Sequence, residues 1–471
     1  MIVRDLAIVG GGAGGLVVAS VAAQLGLKVT LIEKAASLGG DCLHHGCVPS
    51  KTFIHAAKVA SLMRRGAEFG LPAHAPEVDL GAVSDRVQEV IDRIQRHDDP
   101  ERFRSYGCEV LLGQPARFVS PNELLAGDRT VRARRFVIAT GSHPSLPPVA
   151  GLAESGFLTN LDIFSLRTLP RRLVVLGGGP IGVELAQAFA RFGSQVTIVE
   201  RLAQLLPQED SEVAESLRAS LAAENIAIHT STNVERVEQR GPVKRIYCND
   251  ALVLEAEAIL VAAGRRPNVD ELGLDAAGVR HGARGIEVDA RLRTSKHHIY
   301  ACGDVCGPYA FTHMAEYQAG IVIANAVFRM PRKADYRIVP RVTFTDPELA
   351  QVGLTEAEAR GRGLEPTVLR FPFASVDRAI TEREEHGLAK LVTHRGRLLG
   401  ASILGPQAGE LIHELALALK TGASLAAISG TIHAYPTLAQ VHRRVVNTAF
   451  GPKLFSPATR RLVHWLQRLV P

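Results

Sequence analysis

The 471-residue sequence has no long apolar run, no long basic block and few cysteines, and each absence argues against a class of protein. Glycine or charge interrupts every strongly apolar stretch well before the ~18 residues that a membrane span needs. No Lys/Arg block is long enough for a nucleic-acid-binding arm, although the net charge of +6 favours anionic ligands. Six cysteines in so long a chain do not make a disulfide scaffold. We expect no membrane span and no nucleic-acid partner.

No charged leader with an apolar core precedes the first motif, so we expect a cytoplasmic protein. At about 150 residues per domain, the length predicts three domains. The 43 glycines exceed average usage and indicate backbone sites that depend on glycine. These glycines cluster in two places.

The two clusters stand in matching surroundings. Each follows a short apolar run, at 6–9 and at 173–176, and each precedes a helical stretch and a second apolar run, at 29–32 and at 196–199. This order predicts strand, Gly turn, helix and strand, twice. The key positions of the two units are all offset by 167: Gly10 and Gly177, Gly12 and Gly179, Gly15 and Gly182, Glu33 and Glu200.

A Gly-rich turn between strand and helix lets backbone amides approach a pyrophosphate at the positive end of the helix, so two dinucleotides are implied. The acids Glu33 and Glu200 stand where they can accept hydrogen bonds from ribose hydroxyls. An acid there repels a 2′-phosphate, which favours NADH over NADPH in the second unit. Arg201 alongside works against that preference.

The segment 39–51 contains Gly40, Cys42, Cys47 and Lys51 and follows the first ribose acid by a few residues. Its Cys-x4-Cys spacing at a helix start suits a pair that closes as a disulfide and opens to thiolates stabilised by the helix dipole. It resembles the redox-active disulfide of the pyridine nucleotide-disulfide oxidoreductases. This family includes dihydrolipoamide dehydrogenase, glutathione reductase and mercuric reductase.

The resemblance covers essentially the whole chain, because further family segments follow in order. They contain Thr140 and Gly141, then Gly264, then Asp304. The resemblance implies bound FAD and NAD(P)H, with Asp304 holding the FAD ribitol. It also implies an ion pair between Lys51 and Glu184 beside the flavin, Cys47 as the flavin-proximal thiol and Cys42 as the interchange thiol.

The C-terminal segment departs from the dithiol reductases of the family, which carry a His-Pro followed by an acid. Tyr435 stands in the His position and Gln440 in the acid position. A tyrosine is a poor base at neutral pH and a glutamine cannot orient an imidazolium, so efficient lipoamide or glutathione turnover is in doubt. His433 is an alternative base. A tyrosine here is similar to mercuric reductases, but the usual vicinal cysteine pair near the C-terminus and the N-terminal Cys-x2-Cys module are both missing.

The remaining chemistry-bearing residues are weaker candidates. Cys302-x3-Cys306 is the one other close cysteine spacing, and small buried cysteines explain it better than a metal site. His44 and His45 could tune the thiolates, but exposed loop histidines are the plainer interpretation. We therefore predict no resident metal site.

The predicted fold class is α/β, with two Rossmann-like dinucleotide-binding domains and an α+β dimerisation domain. The FAD domain takes residues 1–149 and 271–335, the NAD(P) domain 150–270, and the dimerisation domain 336–471. A helical stretch is expected at 83–104 and a small antiparallel sheet over 110–138. The tail from Thr459 to Val470 has one apolar helical face, which would pack in the protein's own dimer or dock on a partner or membrane surface.

The sequence thus predicts a homodimeric flavoenzyme that passes electrons from NAD(P)H through FAD to Cys42 and Cys47. The acceptor is predicted to be a soft metal ion or a small disulfide. A lipoyl protein is the rival acceptor, and a flavin-bound redox sensor with poor turnover is the rival outside catalysis.

Overall fold

The computed structural model describes residues 3–469, which form two compact units. The first unit takes the chain up to residue 171, together with residues 236–245 and 255–335. The second takes residues 172–235 and 246–254 and the chain from residue 336 onward. The three-domain division with the bounds given above stays a prediction.

The first unit is built on a five-stranded parallel sheet. Its apolar strands are almost entirely buried, as expected for a parallel sheet with both faces covered. The strands predicted at 6–9, 29–32 and 299–301 are confirmed. In sheet order they are Ile299–Ala301, Phe136–Ile138, Leu6–Val9, Val29–Ile32 and Glu109–Leu111.

The antiparallel sheet predicted over 110–138 is right only for its middle part. Ala116–Ser120, Glu123–Ala126 and Arg129–Ala133 pair antiparallel, and the two ends of the range belong to the parallel sheet instead. Short apolar runs show that a strand is buried but not the direction in which it pairs, which is why the prediction failed there.

Among the described residues, eight α-helices, four 3₁₀ turns, one π turn and several short strand pairings complete the first unit. The predicted helical stretch at 83–104 is observed as two helices and a short 3₁₀ turn. The helices are Ala13–Gln24, Gly40–His44, Cys47–Arg64, Leu80–Gln95, Pro100–Ser105, Leu152–Ser155, Leu274–Ala277 and Thr312–Val322, with 3₁₀ turns Gly66–Phe69, Arg96–Asp98, Ile163–Ser165 and Asp304–Cys306 and a π turn Ile323–Val327. The paired strands are Val3–Arg4 beside Arg129–Ala133, Ser142–Pro144 with Arg265–Pro267, and His281–Gly282 with Gly285–Ile286.

The second unit combines the second Gly-rich turn with an antiparallel sheet. Strands Arg172–Leu176, Gln195–Val199 and Ala227–His229 pair in parallel. Helix Pro180–Phe192 connects the first two of them. The antiparallel sheet has the order Arg341–Thr343, Glu348–Gly353, Arg397–Gly405, Leu388–His394, Thr367–Pro372. Its other helices are Ser211–Ala223, Glu356–Gly361, Asp377–Glu382, Ala408–Thr421, Leu425–Gly430, Gln440–Leu454 and Pro457–Leu469, with a 3₁₀ turn Phe373–Ser375.

The remaining described strands of the chain are Val234–Arg240, Val243–Cys248, Val253–Ala256 and Ala258–Val261.

Among residues 3–469, none of the helices is both long and apolar enough to span a bilayer.

A buried lysine fixes the antiparallel sheet to the helix ends beside it. Lys390 is 2% exposed, and its Nζ lies 2.9 Å from carboxylate oxygens of Asp210, Glu212 and Glu356. Burial alone would lower the pKa of Lys390, but the three carboxylates outweigh it and the pKa is raised. The lysine therefore stays charged, and its removal would leave the buried carboxylate of Asp210 without its counter-ion.

We expect Lys390→Met to destabilise the protein by about 3 kcal/mol, because breaking one side of a buried ion pair strands the other. Arg370→Met is the matched control, since Arg370 pairs with the same Glu212 at the surface and should cost less than about 1 kcal/mol. Urea unfolding followed by circular dichroism measures both. Equal losses would contradict the role given to the buried network.

Candidate active site

Each Gly-rich turn is locked by the acid that follows it. Glu33 Oε2 accepts a hydrogen bond from Gly11 N at 2.6 Å, and Glu200 Oε2 accepts one from Gly178 N at 2.6 Å. In both cases Oε1 accepts the amide two residues beyond the acid, at 2.8 Å. The two predicted ribose acids are therefore held in place before any ligand is considered.

The glycines of the second turn divide into two kinds. A Cβ on Gly182 would collide with the carbonyl oxygen of Gly177, so this glycine permits the helix to approach the turn. A Cβ on Gly179 would meet no described heavy atom within 4 Å. That open position is where the backbone can approach a bound pyrophosphate.

The first turn repeats this arrangement. A Cβ on Gly15 would collide with Gly10 O, whereas a Cβ on Gly12 would meet only Gly40 Cα, at 3.7 Å. In the described residues no side chain caps the helices that begin at Ala13 and Pro180, so their first amides are available to a phosphate. Both turns fit a dinucleotide.

The two cysteines of the predicted redox pair lie on consecutive helices. Cys42 is half-buried in helix Gly40–His44, and Cys47 is the first residue of helix Cys47–Arg64 and is exposed. Thr312 Oγ1 lies 3.3 Å from Cys47 Sγ. A thiolate at Cys47 would be stabilised by the positive end of an 18-residue helix.

The two thiols are electrostatically unequal. A hydrogen bond with Cys47, reinforced by burial, raises the pKa of Cys42 well above its ordinary value. In the reduced pair the proton therefore stays on Cys42 and negative charge collects on Cys47. Cys42 needs a proton acceptor before it can attack a disulfide.

Arg265 connects the redox helix to the predicted flavin site, a role that the sequence analysis missed. Its Nη2 lies 3.0 Å from Asp41 Oδ2, beside Cys42, and its Nε donates to Ser142 Oγ at 2.7 Å. Ser142 Oγ in turn donates to Asp304 Oδ2 at 2.6 Å. This series of side-chain contacts, from Asp41 through Arg265 and Ser142 to Asp304, fixes the redox helix relative to the predicted flavin site.

The predicted FAD-binding residues Thr140, Gly141, Gly264 and Asp304 lie in the first unit. Burial raises the pKa of Asp304 against the lowering effects of Ser142 and Arg265. Thr140 Oγ1 donates to Asn268 O at 2.8 Å, and the Asn268 amide donates back to Thr140 O at 2.7 Å. Gly141 and Gly264 both have positive φ, and a Cβ on either would meet no described atom within 4 Å.

The two histidines of the redox loop are half-buried rather than exposed. His44 Nε2 lies 2.9 Å from Leu38 O, which holds the ring to the loop. Burial lowers the pKa of His45, although Asp41 opposes the shift. His45 is therefore neutral at pH 7 and adds no positive charge beside the thiols.

The predicted ion pair has one partner in each unit. Lys51 lies on helix Cys47–Arg64, and its Nζ is 3.3 Å from Ser50 Oγ. Glu184 lies on helix Pro180–Phe192, is 5% exposed and accepts a hydrogen bond from Phe344 N at 2.8 Å. Their pairing beside the flavin stays a prediction.

The segment that departs from the dithiol reductases lies at the surface of the second unit. Tyr435 is 69% exposed and lines a cavity of about 330 Å³ together with Gln440, Arg443, Arg444 and Asn447. Among residues 3–469, the lining carries two guanidinium groups and no carboxylate. An anionic molecule would be attracted to it.

His433 belongs to a cluster with Glu414 and His442 that the sequence analysis did not foresee. His433 Nε2 lies 3.1 Å from both Glu414 oxygens, and His442 Nδ1 lies 2.7 Å from Glu414 Oε2. Burial alone would raise the pKa of Glu414, but the two histidines outweigh it and the pKa is lowered. The three ligand atoms lie within 4.8 Å of one another, and their direct hydrogen bonds account for that closeness without an ion.

Cys302 and Cys306 behave as buried thiols. Burial raises the pKa of Cys302 to about 12 and that of Cys306 well above its usual value. In the described part of the chain, neither belongs to a cluster of metal-binding side chains.

Two models of one protein family match this chain. The pyridine nucleotide-disulphide oxidoreductase model matches residues 4–319, and the dimerisation-domain model of the same family matches residues 339–445. The chain belongs to the pyridine nucleotide-disulphide oxidoreductases. The predicted fold class of two dinucleotide-binding domains and a dimerisation domain is thereby confirmed.

Relatives of this oxidoreductase carry two different names. It is 37% identical to a mercuric reductase of Lysinibacillus sphaericus over 442 residues, which cover 93% of this chain and 81% of the relative. It is 36% identical to a dihydrolipoyl dehydrogenase of Geobacillus stearothermophilus over 467 residues, covering 96% and 98%. Among solved structures, the Cu(II) complex of the HOCl-induced flavoprotein disulfide reductase RclA of Escherichia coli is similar with a TM-score of 0.86, at 28% identity, covering 94% of this chain and 99% of that one.

Membership in the family confirms the predicted enzyme class and cofactors. This oxidoreductase is an NAD(P)H-dependent flavoprotein, and FAD and NAD(P)H are its cofactors. The two open glycines, the uncapped helix starts and the clamped acids fit these groups. The match to the dimerisation domain supports a homodimer.

We expect Gly179→Ala and Gly182→Ala to fail in different ways. At Gly179 the new Cβ meets no protein atom, so the fold should survive while the KM for NADH rises roughly tenfold or more through loss of the close pyrophosphate approach. At Gly182 the collision with Gly177 O should cost ~1–3 kcal/mol of stability. Steady-state kinetics and thermal unfolding separate the two, and a normal KM in a folded Gly179→Ala protein would refute the assignment.

Proposed function

We propose that this oxidoreductase passes electrons from NAD(P)H through FAD to the Cys42/Cys47 disulfide, and from the reduced pair to a soft metal ion or a small disulfide. The observation that carries the proposal is an intact thiol pair combined with Tyr435 and Gln440 in place of the histidine and acid of dithiol reductases. Bound FAD supplies the means of accepting hydride from the nicotinamide. The chain holds both dinucleotides and keeps the thiols in register with the flavin site.

The unequal thiols assign the roles within the pair. Two electrons and one proton, the equivalent of one hydride, open the disulfide to a thiol and a thiolate, and the high pKa of Cys42 leaves the charge on Cys47 at its helix start. Two soft sulfur ligands on one reduced loop suit Hg(II) or Cu(II). Reduction of Hg(II) to the metal takes two electrons from the pair and closes the disulfide again, so the electrons balance.

The surroundings of Tyr435 support an acceptor that needs no strong base. The phenol is exposed, Gln440 carries no charge, and Arg443 and Arg444 make the adjoining cavity positive. A bare metal cation is repelled there, whereas an anionic metal–thiolate complex or an anionic disulfide is attracted. In the homodimer, Tyr435 would complete the redox site of the partner subunit.

The names of similar proteins agree with a metal acceptor without requiring it. One group of relatives is named mercuric reductase, and RclA has been solved as a Cu(II) complex. We therefore place a metal-thiolate complex ahead of a free disulfide. Six cysteines in 471 residues are too few for a disulfide scaffold, which fits a cytoplasmic enzyme.

A lipoyl protein is the second candidate acceptor. His433, two residues before Tyr435, forms a histidine–carboxylate pair with Glu414 and could take the place of the missing base. Both ring nitrogens of His433 are engaged, Nε2 with Glu414 and Nδ1 with Thr431 O at 3.1 Å. Its side chain is only 6% exposed. Proton transfer from Cys42 would have to break one of these contacts, so the lipoyl alternative ranks second.

The clamped carboxylate of Glu200 supports NADH as the preferred donor. Glu200 is 8% exposed and fixed by two backbone amides, so it cannot turn away from a 2′-phosphate. Arg201 is exposed and offers the only adjacent compensation in sequence.

The deciding experiment is anaerobic titration of the purified flavoprotein with NADH and NADPH, followed by stopped-flow reoxidation. The acceptors are Hg(II) and Cu(II) as their thiolate complexes, lipoamide and glutathione disulfide. We expect faster reduction by NADH, a long-wavelength absorbance band that is lost in Cys47→Ser, and fast reoxidation by a metal complex. Fast reoxidation by lipoamide alone would move the assignment to a lipoyl partner, and slow reoxidation by every acceptor would favour a sensor.

Restoring the histidine and the acid of the dithiol reductases at positions 435 and 440 should change which acceptor the enzyme reduces efficiently. We expect Tyr435→His combined with Gln440→Glu to raise lipoamide turnover by about a hundredfold, because it returns a base to the thiol that holds its proton most tightly. Metal reduction should not rise in this double variant. Tyr435→Phe is the control: it removes the phenol without adding a base, so a gain in lipoamide turnover there would rule out this explanation.

A further inference from the structure

The excess of positive over negative charge in this protein lies at its C-terminal end. Residues 415–471 contain seven Lys or Arg and no Asp or Glu, whereas the other 414 residues contain 47 Lys or Arg and 48 Asp or Glu. The net charge of +6 therefore arises entirely from this segment. The seven are Lys420, Arg443, Arg444, Lys453, Arg460, Arg461 and Arg468.

The last helix of the segment, Pro457–Leu469, divides into an apolar face and a basic face. At 100° per residue, Leu462, Trp465, Leu466 and Leu469 fall on one side, while Arg460, Arg461, Gln467 and Arg468 fall on the other. The helix has no buried residue. Its four apolar side chains are 44–59% exposed.

Two apolar residues at the end of the preceding helix are exposed as well. Leu454 and Phe455 are 59% and 66% exposed, and Lys453 lies beside them. The family's dimerisation-domain model matches residues 339–445, and helix Pro457–Leu469 follows the matched residues. An occupant other than the partner subunit has to be considered for this face.

The chemistry of the face favours one occupant. A basic amphipathic helix with a tryptophan and leucines on its apolar side lies in the plane of a lipid interface, with arginines toward anionic headgroups. Thirteen residues are too few to span a bilayer. Charge complementarity therefore points to the surface of an anionic membrane.

We propose that helix Pro457–Leu469 docks this oxidoreductase on anionic lipid surfaces, with its apolar face in the acyl boundary. The proposal is independent of the electron acceptor. It concerns where the enzyme works, and it gives the basic residues of the last helix a physical role.

The test is co-sedimentation of the full-length holoenzyme with vesicles of phosphatidylcholine alone and of phosphatidylcholine mixed equally with phosphatidylglycerol. Binding should be at least about tenfold tighter to the anionic vesicles and should weaken as salt is added. Trp465 is the only tryptophan of the chain. Its emission should therefore shift to shorter wavelength on binding and report insertion of this helix directly.

Leu466→Asp and Gln467→Asp form a matched pair. Each adds one negative charge to neighbouring positions, but only the first breaks the apolar face. We expect Leu466→Asp to weaken vesicle binding about tenfold more than Gln467→Asp does. NADH oxidation with a dye acceptor and gel filtration confirm that both variants remain folded dimers.

Three results would overturn the proposal. The first is equal affinity for neutral and anionic vesicles, or no binding to either. The second is vesicle binding without any shift in Trp465 emission. The third is a protein truncated after Ser456 that keeps its vesicle binding but becomes monomeric, which would show that the helix belongs to the dimer interface.

Discussion

The ion pair between Arg265 and Asp41 is the contact on which the rest of the active site depends. Asp41 precedes the first predicted redox cysteine, and Arg265 reaches it from a strand pair that also contains Ser142. Through Ser142 the same arginine is linked to Asp304 at the predicted flavin site. A planar guanidinium with several donors suits this task, because it can bind a carboxylate and a hydroxyl at once without losing its charge. Electron transfer over a short distance requires such fixed spacing.

The thiol pair shows how much local environment decides the chemistry of identical side chains. Cys42 and Cys47 differ in burial, in hydrogen bonding and in their position relative to a helix start. These differences separate a thiol that keeps its proton from one that carries charge. The separation makes the missing base at Tyr435 chemically important, since the proton that has to leave is the one held most firmly.

The sequence predicted those features that depend on local order along the chain. Regular glycine spacing and short apolar runs located both nucleotide-binding turns, and the strands at 6–9 and 29–32 were placed correctly. The Arg265–Asp41 contact was missed because its partners are 224 positions apart and neither stands out by type or spacing. The cluster of Glu414, His433 and His442 was missed because Glu414 and His442 lie on separate helices, and only the packing of those helices brings the three side chains together. The predicted strand direction was wrong at the two ends of 110–138, because a burial pattern does not show which strand is the partner.

The clamp between each ribose acid and its own glycine turn couples two properties that are usually treated separately. Glu200 accepts hydrogen bonds from Gly178 N and Leu202 N with its two oxygens, so the group predicted to bind the ribose also stiffens the loop predicted to hold the phosphates. Any replacement that removes its charge also frees at least one of the two amides that it now satisfies. Cofactor preference in this scaffold is therefore expected to change through compensating substitutions around the turn. A single exchange at the acid would relax selectivity and loosen the loop together, and the same linkage holds for Glu33 in the first unit.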